Sequence, residues 1–236
     1  KPLQLDINSL NKDFVDKSPQ QVLEWALDKF HPKIGLASSF GAEDIVLIDM
    51  IKKIKPDARI FTLETGRLHQ ETYDLMDKIK KRFGDIEVYY PDTNDLENMV
   101  RKHGINLFYN SVELRKLCCK VRKVGPLNRA LSSLDAWITG LRQDQAASRS
   151  DTSKIEVDFA HGGIIKINPI INQTSEDVWK YIRKNDLPYN VLHDSGFPSI
   201  GCAPCTRAIK PEEDSRAGRW WWEPREQSEC GLHVKS

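Results

Sequence analysis

The chain has 236 residues, 39% of them hydrophobic and 29% charged, enough apolar material for one medium-sized core in a soluble α/β protein. No apolar run approaches the roughly 20 residues that span a bilayer, which excludes a helical membrane protein. Lys and Arg total 35 against 34 Asp and Glu, so no global field draws nucleic acid and any anion site must be built locally.

The chain opens Lys1-Pro2-Leu3-Gln4, with neither a signal-peptide apolar stretch nor an initiator Met. This reads as a trimmed or processed amino terminus of a cytoplasmic protein, or of an organellar one if a transit peptide has been removed. Ser18-Pro19-Gln20-Gln21 supplies an N-cap, a Pro at the first helical position and a capping-box Gln; Val22, Leu23, Ala26, Leu27 and Phe30 follow at helical spacing. Ile34 to Ala37 reads as a strand, followed by the small polar run Ser38-Ser39-Phe40-Gly41-Ala42-Glu43-Asp44 and a helix from Ile45 to Ile54.

The pattern repeats. Strands are expected at 58–63, 86–90, 136–139 and 164–167, and helices at about 68–83, 95–103 and 175–185. This alternation predicts a mostly parallel, twisted sheet flanked by helices, with ligands at the carboxyl ends of its strands. After Tyr189 the texture changes to Pro, Gly, Arg, Cys and Trp with little periodicity. The expectation is a single domain over 1–236, with an α/β core at about 18–189 and an irregular functional segment at 190–236.

Ser38 to Asp44 follows a strand and opens a helix, so its backbone N–H groups, two hydroxyls and the helix dipole can hold a phosphate or sulfate. It lacks the Lys of a Walker loop. The plainer alternative is a βα turn in which Ser39 caps the helix. Thr62 to Arg67 and Thr139 to Arg142 also end strands in small polar residues plus Arg, so three such loops would meet at one sheet edge.

Five cysteines divide four to one. Cys118-Cys119 and Cys202-x-x-Cys205 are two close pairs that can hold zinc or an iron–sulfur cluster. Adjacent cysteines do not form a zinc knuckle, whereas a cubane cluster, with ligands on different irons, accepts neighbours. Lys120, Arg122 and Lys123 can offset thiolate or substrate charge. Cys230 stands apart near His233, after Arg207, Arg216, Arg219 and Arg225; cationic neighbours lower a thiol pKa, making it a candidate nucleophile. Trp220-Trp221-Trp222 reads as a buried anchor for the tail, and His193 as a hydrogen-bonded structural residue.

In these motifs the chain resembles an assimilatory adenylyl-sulfate (APS) reductase, the iron–sulfur branch of the phosphoadenylyl-sulfate (PAPS)/APS reductase family. The resemblance runs from about Lys33 to His233. It is carried by Ser38-Ser39-Phe40-Gly41-Ala42-Glu43, Leu63-Glu64-Thr65-Gly66, Cys118-Cys119-x-x-Arg122-Lys123, Trp137-Ile138-Thr139-Gly140-Leu141-Arg142, Leu187-Pro188-Tyr189-Asn190 with Leu192-His193-Asp194, Gly201-Cys202-x-x-Cys205-Thr206 and Glu229-Cys230-Gly231-Leu232-His233. Glu64 departs from the Asp commoner at that position.

The resemblance implies an adenine-nucleotide α-hydrolase-like fold and a [4Fe–4S] cluster on Cys118, Cys119, Cys202 and Cys205. It implies thioredoxin-dependent reduction of APS to sulfite and AMP through an S-sulfo intermediate on Cys230, in sulfate assimilation and cysteine biosynthesis, with PAPS as an alternative or additional substrate. His233 would assist Cys230. Lys123, Arg216 and Arg219, with Arg142 in a lesser role, would neutralise the phosphosulfate. Ser38, Ser39, Gly41 and Glu43 would form the nucleotide loop, with Leu63, Thr65, Gly66 and Gly140 nearby. A homodimer or homotetramer is expected, with no nucleic-acid or membrane partner. The rival enzyme on such a fold, ATP-dependent adenylation, usually carries Ser-Gly-Gly-x-Asp-Ser in its first loop, which is absent here. A DNA-binding iron–sulfur sensor is disfavoured by the near-zero net charge.

Overall fold

The structure is a computed structural model that describes residues 5–145, 149–224 and 231–233. The expected capping box forms: Ser18 Oγ accepts from Gln21 N at 3.2 Å, and Gln21 Oε1 accepts from Ser18 N at 2.9 Å. It starts α2 (Pro19–Phe30), whose Val22, Leu23, Ala26, Leu27 and Phe30 are all buried. Ahead of it lies a helix with no sequence expectation, α1 (Ile7–Asp13), capped by Asp6 accepting from Ser9 N. It buries no residue of its own, so it carried little periodic signal.

Among the described residues six strands form one sheet: β1 (Ile34–Ala37), β2 (Arg59–Leu63), β3 (Glu87–Tyr89), β4 (Ala136–Ile138), β5 (Ile155–Asp158) and β6 (Ile164–Ile167). Their order is β3-β2-β1-β4-β6-β5, parallel throughout except for the β5–β6 pair. Sequence reading expected five strands; the sixth, β5, is an antiparallel edge strand. Its Glu156 and Asp158 interrupt a short apolar pattern, and one pairing edge suffices for such a strand. The helices are α3 (Ala42–Ile54), α4 (Gln70–Phe83), α5 (Thr93–His103), α6 (Val112–Cys119), α7 (Gly125–Leu131) and α8 (Ser175–Lys184). Helix α3 begins three residues before the expected Ile45, which brings Glu43 and Asp44 into its first turn, where the helix dipole favours negative charge. A π-helical turn, Lys120–Val124, joins α6 to α7 directly after the adjacent cysteines.

Register decides which face each strand residue covers. Ile34, Ala136 and Ile165 align in one row, and Leu36, Ile138 and Ile167 in the next, all packing with α2, α3 and α8. Phe61 and Trp137 belong to the opposite face and pack with Leu127, Leu131 and Leu134. A separate buried group joins Met99 of α5, Leu107 and Phe108 to Cys118, Cys202, Cys205 and Trp220. Trp220 is 1% exposed, so burial of one tryptophan ties down the tail, while Trp221 stays at the surface. No described helix is long and apolar enough to cross a membrane.

Candidate active site

Chain order runs outward from β1 through β2 to β3, then returns to place β4 on the other side of β1. The loops leaving β1 and β4 therefore diverge, and this switch point opens a crevice at the carboxyl ends of the strands. A cavity of about 900 Å³ occupies it. Its wall includes Ser38, Ser39, Gly41 and Glu43 after β1, Leu63 and Thr65 at β2, and Gly140 and Arg142 after β4. From the other side come Lys123, Arg216, Arg219 and His233. Gly66 is not part of the wall: its positive φ of 74° turns the chain there, and a Cβ at this position would meet Arg122 NH1 at 3.3 Å. Cys230 lies outside the described residues.

The β1 loop is held from within. Asp44 Oδ2 accepts from Ser39 N at 2.7 Å and from Ser39 Oγ at 2.9 Å, while Phe40 N donates to Ser38 Oγ at 3.1 Å. Phe40, buried at a φ of 59°, makes the sharp turn that presents Gly41 as the N-cap of α3. Burial raises the Asp44 carboxyl to about 7, against the opposing pull of the Ser39 hydrogen bonds. Gly140 closes the loop packing: a side chain there would run into Asp44 Oδ1 and come within 3.2 Å of Glu43 Cβ.

Arg142 is buried and committed. Its Nε donates to Glu43 Oε1 at 2.9 Å, and it also pairs with Asp144. The same Glu43 oxygen accepts from Gln145 Nε2 at 3.1 Å. Arg142 thus braces Glu43 across the crevice, with its charge largely answered by carboxylates. Arg219 is placed by the tail: its NH1 donates to Ser199 Oγ at 3.1 Å, and its guanidinium lies over the Trp220 ring at 4.7 Å. Gly201 has no Cβ because the Arg219 guanidinium fills that space.

Cys118, Cys119, Cys202 and Cys205 are all free and buried, and all four line one small cavity with Arg115, Arg122, Lys123 and Trp220. Among the described residues no set of three or more His, Cys, Asp or Glu side chains is arranged around a single metal-ion position. Burial pushes the Cys205 thiol up to about 12, with the neighbouring Cys202 adding to it and Lys123 opposing. Cys118 is also raised by burial, against Arg122 and Lys123. Lys123 is the one side chain among these cations that borders both the cysteine cavity and the large crevice. Thr65 joins the two by another route, its Oγ1 lying 3.2 Å from Cys202 Sγ. Arg122 NH1 donates to the Thr65 carbonyl and Ala203 N to the Arg67 carbonyl, so the β2 loop is tied to both cysteine pairs.

Sequence reasoning did not single out Asp44, Gln145, Ser199 or Trp137 as site residues. Asp44 stood in the quoted Ser38 to Asp44 run and Gln145 three places past Arg142, so adjacency was the available signal. Ser199 had none, because only the fold brings it to Arg219. His193 borders the cavity, its Nδ1 2.8 Å from the Phe197 carbonyl, which agrees with a structural role for that nitrogen; Nε2 is buried without a hydrogen-bond partner among the described residues.

Residues 33–208 match the family model of the phosphoadenosine phosphosulfate reductase domain. An adenosine 5'-phosphosulfate reductase from Burkholderia cepacia is 51% identical over 205 residues, covering 86% of this chain and 82% of that protein. One from Pseudomonas aeruginosa is 43% identical over 235 residues, 97% of this chain and 87% of that one. The chloroplastic 5'-adenylylsulfate reductase 3 of Arabidopsis thaliana is 43% identical, and this chain spans about half of it, 51%. Among solved structures, PAPS reductase from Candida auris superposes with a TM-score of 0.75 at 35% identity, over 87% of this chain and 97% of that one. The FMN adenylyltransferase of Candida glabrata, at 13% identity and a TM-score of 0.57, shares the fold alone. A crevice built at the switch point by these loops, together with a matched domain over most of its length, establishes that the chain belongs to the phosphoadenosine phosphosulfate reductase family.

Proposed function

We propose that this chain reduces adenylyl sulfate to sulfite and AMP, with Cys230 as nucleophile and thioredoxin as electron donor. The observation that carries the reading is the composition of the crevice. Nucleotide-type loops from β1, β2 and β4 face Lys123, Arg216 and Arg219 across one cavity, and residues 232 and 233, just past Cys230, line the same wall. A nucleotide thereby sits with its anionic end among cations, beside the segment that carries the thiol.

The electron balance follows. Cys230 thiolate attacks the sulfur of the sulfuryl group, forming an S–S bond; AMP departs with the electron pair of the cleaved S–O bond. A thioredoxin thiolate then attacks Cys230 Sγ, and sulfite leaves with the S–S electron pair. The second thioredoxin thiol resolves that mixed disulfide, so the two electrons come from one dithiol. Bringing a thiolate to a phosphosulfate joins two anions. Lys123, Arg216 and Arg219 lower that barrier by answering the substrate charge in a partly enclosed site. His233 lines the wall beside them; burial and the nearby Lys166 and Arg149 hold its ring neutral.

The four buried thiols around one cavity suit an iron–sulfur cluster by donor chemistry: soft sulfur ligands, withdrawn from water, with Lys123 and Arg122 in electrostatic reach. Cys118, Cys119, Cys202 and Cys205 would hold a [4Fe–4S] group. When bound it supplies a fixed link between α6 and the tail and a charge beside Lys123; the thiols of the reaction carry the electrons. The preference for APS over PAPS follows the names of the more similar relatives, and PAPS remains the second reading because a PAPS reductase shares the fold at 35% identity. We further read the chain as a cytoplasmic or organellar homo-oligomer.

The deciding experiment is intact-mass spectrometry after incubation with APS and no thioredoxin. The wild-type chain should gain one sulfo group, and Cys230→Ser should gain none while still binding AMP. A sulfo adduct on the Ser variant would sink the nucleophile assignment. Turnover of PAPS exceeding that of APS with the same thioredoxin would reverse the substrate preference.

A further inference from the structure

Trp137, Asp158, His161 and Lys166 form a buried group that the reaction above does not use. Strand register sets Trp137 of β4 directly beside Lys166 of β6, and β5 brings Asp158 to the same end of the sheet. Trp137 Nε1 donates to Asp158 Oδ2 at 3.0 Å. The same oxygen lies 2.8 Å from His161 Nδ1, and Lys166 Nζ sits 5.5 Å from the indole centroid. Burial works against the Asp158 charge, yet His161, Lys166 and the indole N–H outweigh it and hold the carboxyl below its usual range. An ionised acceptor fixed in this way sets the orientation of the indole.

Leu232 and His233 lie against this indole. The His233 ring stacks on Trp137, with centroids 5.7 Å apart and planes inclined by 10°. Leu232 packs into the apolar group of Phe61, Leu127, Leu131 and Trp137. Gly231 has a φ of 76°, a left-handed turn suited to glycine, between Cys230 and this docked pair. His233 Nδ1 is buried with no hydrogen-bond partner among the described residues. Stacking and apolar packing, and no hydrogen bond to that nitrogen, therefore seat the ring. Burial first, and then the charges of Lys166, Arg149, His161 and Arg216, lower the pKa of His233 well below its usual value, which disfavours protonation of the stacked imidazole.

We infer that Trp137, oriented by Asp158, is the docking platform for residues 231–233 and acts as a positioning residue for the neighbouring Cys230. The positioning role rests on the proposed function of Cys230; the docking role does not. His233 stacks on the platform three positions after Cys230 in the chain, and misplacement of a reacting group by about an ångström costs on the order of a hundredfold in rate.

The test uses the full chain with its metal content intact and three readouts. These are hydrogen–deuterium exchange of the peptide spanning 231–233, the single-turnover rate of sulfo-adduct formation with APS, and AMP affinity. In Trp137→Leu and in Leu232→Asp the peptide should lose its protection. Adduct formation should slow by at least about tenfold, and by more than AMP affinity falls. Trp137→Phe, which keeps an aromatic face without the N–H, should recover part of both. Leu232 belongs to the arm, so Leu232→Asp leaves the sheet folded and keeps the test decisive should Trp137→Leu misfold. Unchanged protection in the variants overturns the platform. Protection lost with an unchanged adduct rate overturns the positioning role. A wild-type chain that forms no adduct overturns the proposed nucleophile instead, and the exchange comparison then decides the platform by itself.

Discussion

The hydroxyl of Thr65, at the wall of the nucleotide crevice, lies 3.2 Å from the sulfur of Cys202 in the neighbouring cysteine cavity. The same oxygen accepts from Arg67 N at 3.2 Å, so one side chain shapes the β2 loop and contacts a metal-type ligand. Thr65→Val keeps the volume and removes both contacts. The variant should lose its visible absorbance in air several-fold faster than wild type. Equal bleaching rates would show that the hydroxyl contributes nothing to the cysteine site.

Protein purified without oxygen should be brown and contain about four iron and four sulfide per chain. Cys202→Ser should lose most of both. Zinc without sulfide in anaerobic preparations would overturn the cluster.

Gly140→Ala places a methyl group against Asp44 Oδ1 and Glu43 Cβ, at the mouth of the β1 loop. Relief requires moving the loop that lines the crevice, while the sheet beneath can remain as it is. AMP affinity should fall by about tenfold or more, the cost of roughly 1.4 kcal/mol of lost binding, with the far-ultraviolet circular dichroism unchanged. Titration of AMP against both proteins measures it, and an affinity equal to wild type would refute the packing argument.

Asp44 makes stability depend on pH in a direction opposite to that of an ordinary paired carboxylate. Its carboxyl is raised from 3.8 to about 7, first by burial. The folded chain therefore keeps a proton that the unfolded chain releases. That contribution is fully present below about pH 4 and is lost as the pH rises towards and through 7. The loss is on the order of a few kcal/mol. Asp44→Asn, which retains an acceptor for Ser39, should gain stability relative to wild type as pH rises from 4.5 to 7.5, as read from urea midpoints across roughly that window. Parallel curves for the two proteins would dismiss the burial effect.

Arg115 and Glu223 form a salt bridge at 2.8 Å with side chains only 1% and 2% exposed, joining α6 to the tail just beyond Trp220. The Arg115 guanidinium also lies over the Trp220 ring at 4.7 Å. Glu223→Ala leaves a buried cation without its carboxylate, which costs about 3–5 kcal/mol. Glu223→Gln, which keeps one acceptor, should lose less. Chemical denaturation of the three proteins gives the comparison, and a loss under 1 kcal/mol for the Ala variant, roughly the worth of a surface pair, would mean that the pair is solvated in solution.

The α/β architecture and most of the site were legible in the chain because both are written locally. Apolar runs bounded by small polar loops mark parallel strands, and the loops after β1, β2 and β4 are where such a sheet puts ligands. The Ser18 capping box was readable to the residue, since every partner lies within three positions. Edge strand β5 was not readable. Its pairing partner β6 is a separate segment, and Glu156 and Asp158 interrupt its apolar positions, the buried Ile155 and the half-buried Val157. Nor was the partner of Arg142: the resemblance sets it as a lesser cation for the substrate and it does line the crevice, but only tertiary structure brings it to Glu43, 99 positions away.

The chain by itself determined the residue types at each chemical station, namely two cysteine pairs, a lone thiol and three strand-end loops, because these depend on short spacings. Tertiary structure decided which stations share a wall. The β1–β4 switch point, the buried Trp220 and the Gly201 gap that admits Arg219 bring Lys123, Arg219 and His233 to one crevice and set the cysteines behind it. It also laid His233 on Trp137. Contacts of that kind are chosen by packing between segments far apart in sequence, which leaves no periodic trace in either one.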